Sequence, residues 1–419
     1  MGREVSGPLT GVRVIELAHI MAGPVCGLML ADMGADVIKV ERLPRGDGTR
    51  SFVPPDVGGE SAAFMMLNRG KRSIALDLRS PDGVDIVRRL LYDADVVVEN
   101  FRVGTMKKIG LGWDELRAEN PRLVYCQITG FGRTGPMADK GGFDLIAQGY
   151  SGLMSITGEG PGREPVKVGA PVTDITAGIL AAYGVVSALF ERERTGEGQL
   201  VDTSLFEAGI TQTYWQSAIA LASGHSPGPL GSAHPLSAPY QALRTSDGWI
   251  NVGASNQPTW LGLTRALAMP ELAEDPRFID NAGRMEHLDE LVEVLAGRFV
   301  QETTDDWLSR LAAERVPAGP IASVGEMLEH PQTVARDMVV ETDHPTAGRV
   351  RSLGSAVKMS GTGHRSQSDA GSSGGTPSPA PLLGQHTREV LGDAGVSDER
   401  IDVLMTQGVL VSSDPRTAL

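Results

Sequence analysis

Val12-Arg13-Val14-Ile15-Glu16-Leu17, then Gly23-Pro24, then Gly34, then Val37-Ile38-Lys39-Val40-Glu41 is the stretch whose reading decides the fold. The first segment reads as a buried strand. Gly23-Pro24 opens a helix, with proline where its missing N–H costs nothing. Gly34 stops that helix and the last segment is the next strand, so the stretch forms a βαβ unit with a short crossover. Further on, Ser80 before Pro81 starts a helix through Ile86, Val87, Leu90 and Leu91 that leads to the apolar strand Val96-Val97-Val98, and Leu123–Ile128 supplies another strand. Continuous apolar strands alternating with helices predict an α/β fold with a Rossmann-like, mainly parallel sheet covered on both faces.

After Gly178 a long helical pattern runs from Ile179 to Glu191, stops at the turn Thr195-Gly196-Glu197-Gly198 and precedes the strand-like Leu200-Val201-Asp202. Composition changes at 223–239, where Ser223-Gly224-His225-Ser226-Pro227-Gly228-Pro229 cannot propagate a helix and reads as a linker. A second compact block follows, with Ile250-Asn251-Val252 as a strand and helical patterns at Leu261–Leu263, Leu288–Leu295 and Trp307–Leu311. Gly361–Pro381 is rich in Gly, Ser and Pro and reads as a surface loop, and Thr387–Leu391 as a last helical patch.

The chain has 419 residues, too many for one ordinary core, with 41% hydrophobic and 21% charged residues, as expected of a folded multidomain protein. Its 38 Lys+Arg against 52 Asp+Glu leave a net charge of −14, which disfavours nucleic acid and anionic membranes as partners. Cys26 and Cys126 lie in apolar stretches without disulfide or metal spacing and read as buried free thiols. Neither an apolar signal core at Met1–Gly7 nor a membrane-length apolar run is evident, so a cytoplasmic protein is expected.

The turn Ala18-His19-Ile20-Met21-Ala22-Gly23-Pro24 places bulky Ile20 and Met21 where a dinucleotide fingerprint needs glycine, which argues against a nicotinamide cofactor. The histidines are scattered, and no metal site is expected. Basic residues gather at Arg42, Arg45, Lys71, Arg72, Arg79, Arg102, Lys107 and Lys108, several after predicted strand ends. In an acidic chain they read either as solvated surface or as an anion site suited to nucleotide phosphates. Asp174, within Gly169-Ala170-Pro171-Val172-Thr173-Asp174-Ile175-Thr176-Ala177-Gly178, stands at a helix mouth, where N–H groups and the helix dipole favour an ionised carboxylate. It reads as a helix cap or as a nucleophile able to attack a thioester.

Further segments stand in order along the chain: Gly11–Glu16 with Ala22-Gly23-Pro24, Gly34–Glu41, Asn68–Ser73 with Leu76-Asp77, Val98-Glu99-Asn100-Phe101, Thr129–Gly132, Thr195–Gln199 with Val201-Asp202, Asp247-Gly248-Trp249, and Pro381–Thr387. Taken together, they resemble the family III CoA-transferases, the group of formyl-CoA and carnitine CoA-transferases and α-methylacyl-CoA racemases. The resemblance implies a large domain built from both chain ends (1–222 and 346–419), a smaller inserted α+β domain (240–325), linkers at 223–239 and 326–345, and an interlocked homodimer. It implies Asp174 as the catalytic aspartate. It implies CoA contacts from His19, Met21, Ala22, Arg42, Leu76, Asp77, Leu78, Arg79, Asn100, Phe101, Arg102 and Lys108, and an acyl pocket at Phe143 and Asp144. Coenzyme A is then a co-substrate, with no tightly bound cofactor, and acyl-CoA and a carboxylic acid, such as a short dicarboxylic or hydroxy acid, are the substrates.

Three positions depart from relatives within that group. Gly142-Phe143-Asp144 stands where the racemases carry Gly-His-Asp, and phenylalanine cannot move a proton, so a racemase is the alternative reading. Met21 replaces a glutamine of formyl-CoA transferase, and Gly231–Tyr240 lacks that enzyme's glycine run, so another acid than formate is expected. A CoA-ester binding protein without turnover is the other alternative.

Overall fold

The computed structural model describes residues 7–360 and 377–413, so most of the expected Gly/Ser/Pro-rich loop lies outside the described residues. Strands run over β1 (Arg13–Glu16), β2 (Asp36–Arg42), β3 (Asp56–Val57), β4 (Glu60–Ser61), β5 (Arg72–Leu76), β6 (Val96–Glu99), β7 (Val124–Thr129) and β8 (Leu200–Ser204). They continue with β9 (Tyr240–Arg244), β10 (Trp249–Gly253), β11 (Ala318–Pro320), β12 (Val339–His344), β13 (Gly348–Leu353) and β14 (Leu410–Val411). The main sheet has the order β14-β5-β2-β1-β6-β7-β8. Its neighbours are parallel from β5 to β8, and β14 joins antiparallel with Leu410 opposite Leu76.

The alternation of side chains explains the continuous apolar strands. Ile15, Ile38, Val97 and Tyr125 face one core, which also receives the Pro81–Tyr92 and Thr387–Asp393 helices. Their neighbours Val14, Val37, Val96, Val98, Val124 and Cys126 face the other, built with the Ala22–Asp32 and Val172–Thr195 helices. Both faces are covered, so neither can be polar. The strand order reverses at β1, whose neighbours are β2 and β6. In open α/β sheets such a reversal opens a ligand crevice beyond the strand C-termini.

The Val172–Thr195 helix begins well before the expected Ile179, and Asp174 lies inside it. By length and composition it could cross a membrane, a property that run-length inspection of the sequence misses. Here it packs against the Ala22–Asp32 helix, the Leu205–Thr211 helix, β7 and β8. Cys26 and Cys126 are buried and free, and their thiols hydrogen-bond each other across the helix–sheet interface.

The chain divides into two compact units. One takes in the described residues up to Ser151, Gly169–Gln212 and those from His330 onward, while the other comprises Gly152–Val168 and Thr213–Glu329. The second unit therefore includes the Tyr214–Ser223 helix and Gly152–Val168, which the sequence places in the large domain. Glycine and proline mark where a helix stops, not which core it joins. Within the second unit, the antiparallel sheet β11-β10-β9 and the helices Gln257–Ala266, Leu288–Phe299 and Thr304–Ala313 enclose Trp260, Phe278, Leu291, Phe299 and Trp307.

Candidate active site

Asp174 is the third residue of its helix, and the N-cap, Pro171, provides no side-chain cap. The aspartate does not cap its own helix. Its carboxylate accepts instead from the backbone N–H of Ala22, the first residue of the Ala22–Asp32 helix. Gly178, one turn further on, makes this approach possible: a Cβ there would lie 2.6 Å from the Ala22 carbonyl oxygen and 2.7 Å from the Val25 side chain. Burial, and then the charge of Asp144, push the Asp174 carboxyl up to about 6, against the pull of the Ala22 N–H. Desolvation thus outweighs the helix terminus, whose N–H groups by themselves favour the ionised form. Among the described residues no cation pairs with it.

Asp144 is held by hydrogen bonds rather than by charge. One oxygen accepts from the Thr173 backbone N–H at 3.0 Å and from the Thr173 hydroxyl at 2.8 Å, and the other from Gln148 Nε2 at 2.8 Å. It is thereby locked beside the residue preceding Asp174. Phe143, which caps the Asp144–Tyr150 helix without a side-chain bond, is 75% exposed. The 141–143 loop leans on the end of β7 through glycine: a Cβ on Gly142 would lie 2.5 Å from the Gly130 Cα.

The remaining predicted residues line the C-terminal edge of the sheet. At the reversal between β1 and β6, the His19 N–H donates to Asn100 Oδ1 at 3.0 Å and Asn100 Nδ2 donates to the His19 carbonyl at 2.8 Å. The His19 and Phe101 rings lie 5.7 Å apart. His19 reaches the surface, yet desolvation by the surrounding protein pushes its imidazole below the ordinary value against the pull of Asp47, with smaller downward pushes from Lys39 and Arg42. Met21 is half-buried and Ala22 buried at the head of the next helix. Arg42 ends β2, Arg102 follows β6 with its guanidinium against Gly141, and Lys108 ends a short helix.

The Leu76–Arg79 segment differs from a set of free ligand contacts. Leu76 is fully buried and Leu78 packs on the same core, while Arg79 grips Asp77 through two bonds of 2.9 and 3.0 Å. Its backbone and the Arg79–Asp77 pair are what it presents outward. The basic cluster also contracts. Lys71 is buried against Glu16, and Arg72 pairs with Asp36, Glu389 and Asp393. Arg42, Arg45, Arg102, Lys107 and Lys108 remain, all exposed and none ion-paired among the described residues. Lys140, in the loop before Phe143, is a further exposed cation that the sequence reading leaves out.

Two other groups escape it. Glu99, buried at the end of β6, accepts from the Phe101 N–H at 2.8 Å and from the Tyr125 hydroxyl at 3.3 Å, and burial pushes its carboxyl up to about 7. It supports the loop carrying Asn100, Phe101 and Arg102. Glu16, Lys39 and Asp47 lie beneath the turn that carries His19, Met21 and Ala22. The signal available in the sequence is a charged residue inside an otherwise apolar strand, which has to find a partner when buried.

A desolvated carboxylate without a counter-cation, on a sheet edge bearing unpaired cations, suits nucleophilic attack on an activated carbonyl carried by an anionic ligand. Comparison with known proteins gives this edge its context. The chain is 38% identical over 404 residues to a mouse protein named succinyl-CoA:glutarate CoA-transferase, covering 96% of this chain and 90% of the relative. It is 41% identical over 392 residues to a succinate–glutarate CoA-transferase of Agrobacterium fabrum, covering 92% and 95%. The crystal structure of a CAIB/BAIF family protein from Brucella suis superposes with a TM-score of 0.80 at 41% identity, over 93% of this chain and 100% of that one. The family model for CoA-transferase family III matches residues 9–387, and with relatives of this identity along nearly its whole length the chain belongs to that family.

Proposed function

We propose that this protein moves CoA from a dicarboxylyl-CoA such as succinyl-CoA to a second short dicarboxylic acid such as glutarate, with Asp174 as the covalent nucleophile. The observation that carries the mechanism is the Asp174 carboxylate itself: buried enough to be raised to about 6, held by the Ala22 N–H and free of any cation among the described residues. Partial desolvation strengthens a weak nucleophile, and a thioester is activated enough to accept it. The choice of dicarboxylates rests on the names of the mouse and Agrobacterium relatives.

An Asp174 oxygen attacks the thioester carbonyl, the C–S bond breaks, and CoA leaves as thiolate from a mixed anhydride. The thiolate attacks the aspartyl carbonyl, releases the first acid and leaves an aspartyl-CoA thioester. The incoming carboxylate displaces the thiolate to form a second anhydride, and the thiolate then takes the new acyl group and frees Asp174. The Ala22 N–H is the donor placed to stabilise oxyanions on the aspartyl carbon. Arg42, Arg102 and Lys108 supply the charge for the nucleotide phosphates, and Phe143 and Asp144 border the acyl end. Coenzyme A is a co-substrate here and not a resident cofactor.

A homodimer completes this reading. Ile179, Tyr183, Val186 and Phe190 form an exposed apolar stripe on the Val172–Thr195 helix, a surface suited to a second copy of the chain. For the mechanism, the test is to incubate enzyme with succinyl-CoA and glutarate, quench with hydroxylamine or borohydride, and map the modified peptide. Modification confined to the Asp174 peptide, with transfer abolished in Asp174→Ala while CoA still binds, is expected. Transfer by Asp174→Ala refutes the covalent role.

A further inference from the structure

Beneath the turn between β1 and the Ala22–Asp32 helix lie four charged side chains, Glu16, Lys39, Asp47 and Lys71, each at most 1% exposed. Lys39 Nζ contacts Glu16 Oε1 at 2.8 Å and Asp47 Oδ2 at 2.8 Å, and Lys71 Nζ contacts Glu16 Oε2 at 2.7 Å. Two positive and two negative charges balance. Each member also reaches, directly or through its partner, the backbone above. Lys39 Nζ donates to the Ala18 carbonyl at 2.9 Å, Lys71 Nζ to the Pro24 carbonyl at 2.8 Å, and Asp47 Oδ1 accepts from the Ile20 N–H at 3.1 Å.

These contacts grip both ends and the middle of the segment that carries His19, Met21 and Ala22. The middle is where the chain resists. Ile20 has φ +66°, a left-handed conformation that a β-branched residue adopts only when its surroundings impose it. The protein also makes room for the grip: a Cβ on Gly27 would lie 1.8 Å from Glu16 Oε2. Buried ion pairs are poor stabilisers compared with apolar groups of the same volume, so stability alone is a weak reason for this arrangement.

We infer that the Glu16–Lys39–Asp47–Lys71 quartet is a positioning device for CoA transfer, holding the Ala18–Pro24 turn in its strained form so that the Ala22 N–H meets the Asp174 carboxylate. The inference rests on Asp174 being the nucleophile. Around Asp174, the groups that bear on its proton are the Asp144 carboxylate and the Ala22 N–H. Titratable side chains on the other elements packed against its helix are engaged elsewhere: Tyr125 with Glu99, Cys126 with Cys26, Asp202 with the Arg133 N–H and Glu207 with Ser204. Relaxing the turn removes the N–H and leaves Asp144, so Asp174 becomes harder to ionise.

The test uses two variants of the full chain. Lys39→Met with Asp47→Leu removes one charge of each sign and leaves the Glu16–Lys71 pair balanced, and Asp47→Asn alone is the milder change. Circular dichroism reports folding, and kcat/KM for transfer from succinyl-CoA to glutarate is followed from about pH 5 to about pH 8. Folded variants with kcat reduced about tenfold or more, and an acid limb about one pH unit above wild type, are expected. Adding Ile20→Gly to Asp47→Asn should return the limb toward wild type, since glycine holds a positive φ without strain. Folded variants with an unmoved acid limb overturn the inference, and so does failure of both to fold, which assigns the quartet to stability. Asp174→Ala separates the two readings. If it retains transfer, the nucleophile is wrong; if it is inactive while the quartet variants behave as wild type, only the positioning role fails.

Discussion

An Asp174 carboxyl raised to about 6 is mostly ionised at neutral pH and becomes a neutral, unreactive acid as the pH falls. On the proposed mechanism the ionised form is the nucleophile, so kcat/KM should be flat above about pH 7 and drop about tenfold per unit well below pH 6. A flat profile down to about pH 5 contradicts the raised value. Asp144 accounts for part of it through like-charge repulsion, so Asp144→Asn, which keeps an oxygen for Thr173, should move the acid limb downward. An upward move would mean that Asp144 acts on Asp174 through position and not through charge. At this scale the sequence singled out this carboxylate in an Asp-x-x-x-Gly context and suggested that the helix mouth favours its ionised form. It could not show that burial wins, because burial depends on the helix that crosses over it.

That crossing is decided between elements. The Ala22–Asp32 and Val172–Thr195 helices touch where Gly178 leaves no room for a side chain, and the same contact brings Ala22 to Asp174. Gly178→Ala should destabilise the protein by about 1–3 kcal/mol through overpacking and lower kcat by more than it raises KM. Gly297, on the Leu288–Phe299 helix of the second unit, has open space around its Cβ position. Gly297→Ala should therefore stabilise by about 0.5–1 kcal/mol and leave transfer unchanged. Urea midpoints and steady-state rates check both, and equal effects at the two glycines would sink the packing argument. The strands were readable because period and run length are local: Val96–Val98 and Leu200–Asp202 sit inside β6 and β8. The start of the Val172–Thr195 helix was not, since Pro171 and the small residues before Gly178 resemble a loop until the sheet beneath supplies its burial.

For the whole molecule, the exposed stripe of Ile179, Tyr183, Val186 and Phe190 predicts self-association. Tyr183→Glu combined with Phe190→Glu should lower the mass measured by light scattering from that of two chains to that of one, and an unchanged mass would place the interface elsewhere. By itself the sequence determined the α/β class, the parallel sheet and the family, since each follows from residue types at short spacing or from motifs in order. Only the tertiary structure decided which cations remain unpaired, that Lys71 and Lys39 serve a buried network, that Leu76 belongs to the core, and that Ala22 rather than its own helix holds Asp174. Charge pairing and burial are relations between residues far apart along the chain, and they come into being only when the sheet and its covering helices bring those residues together.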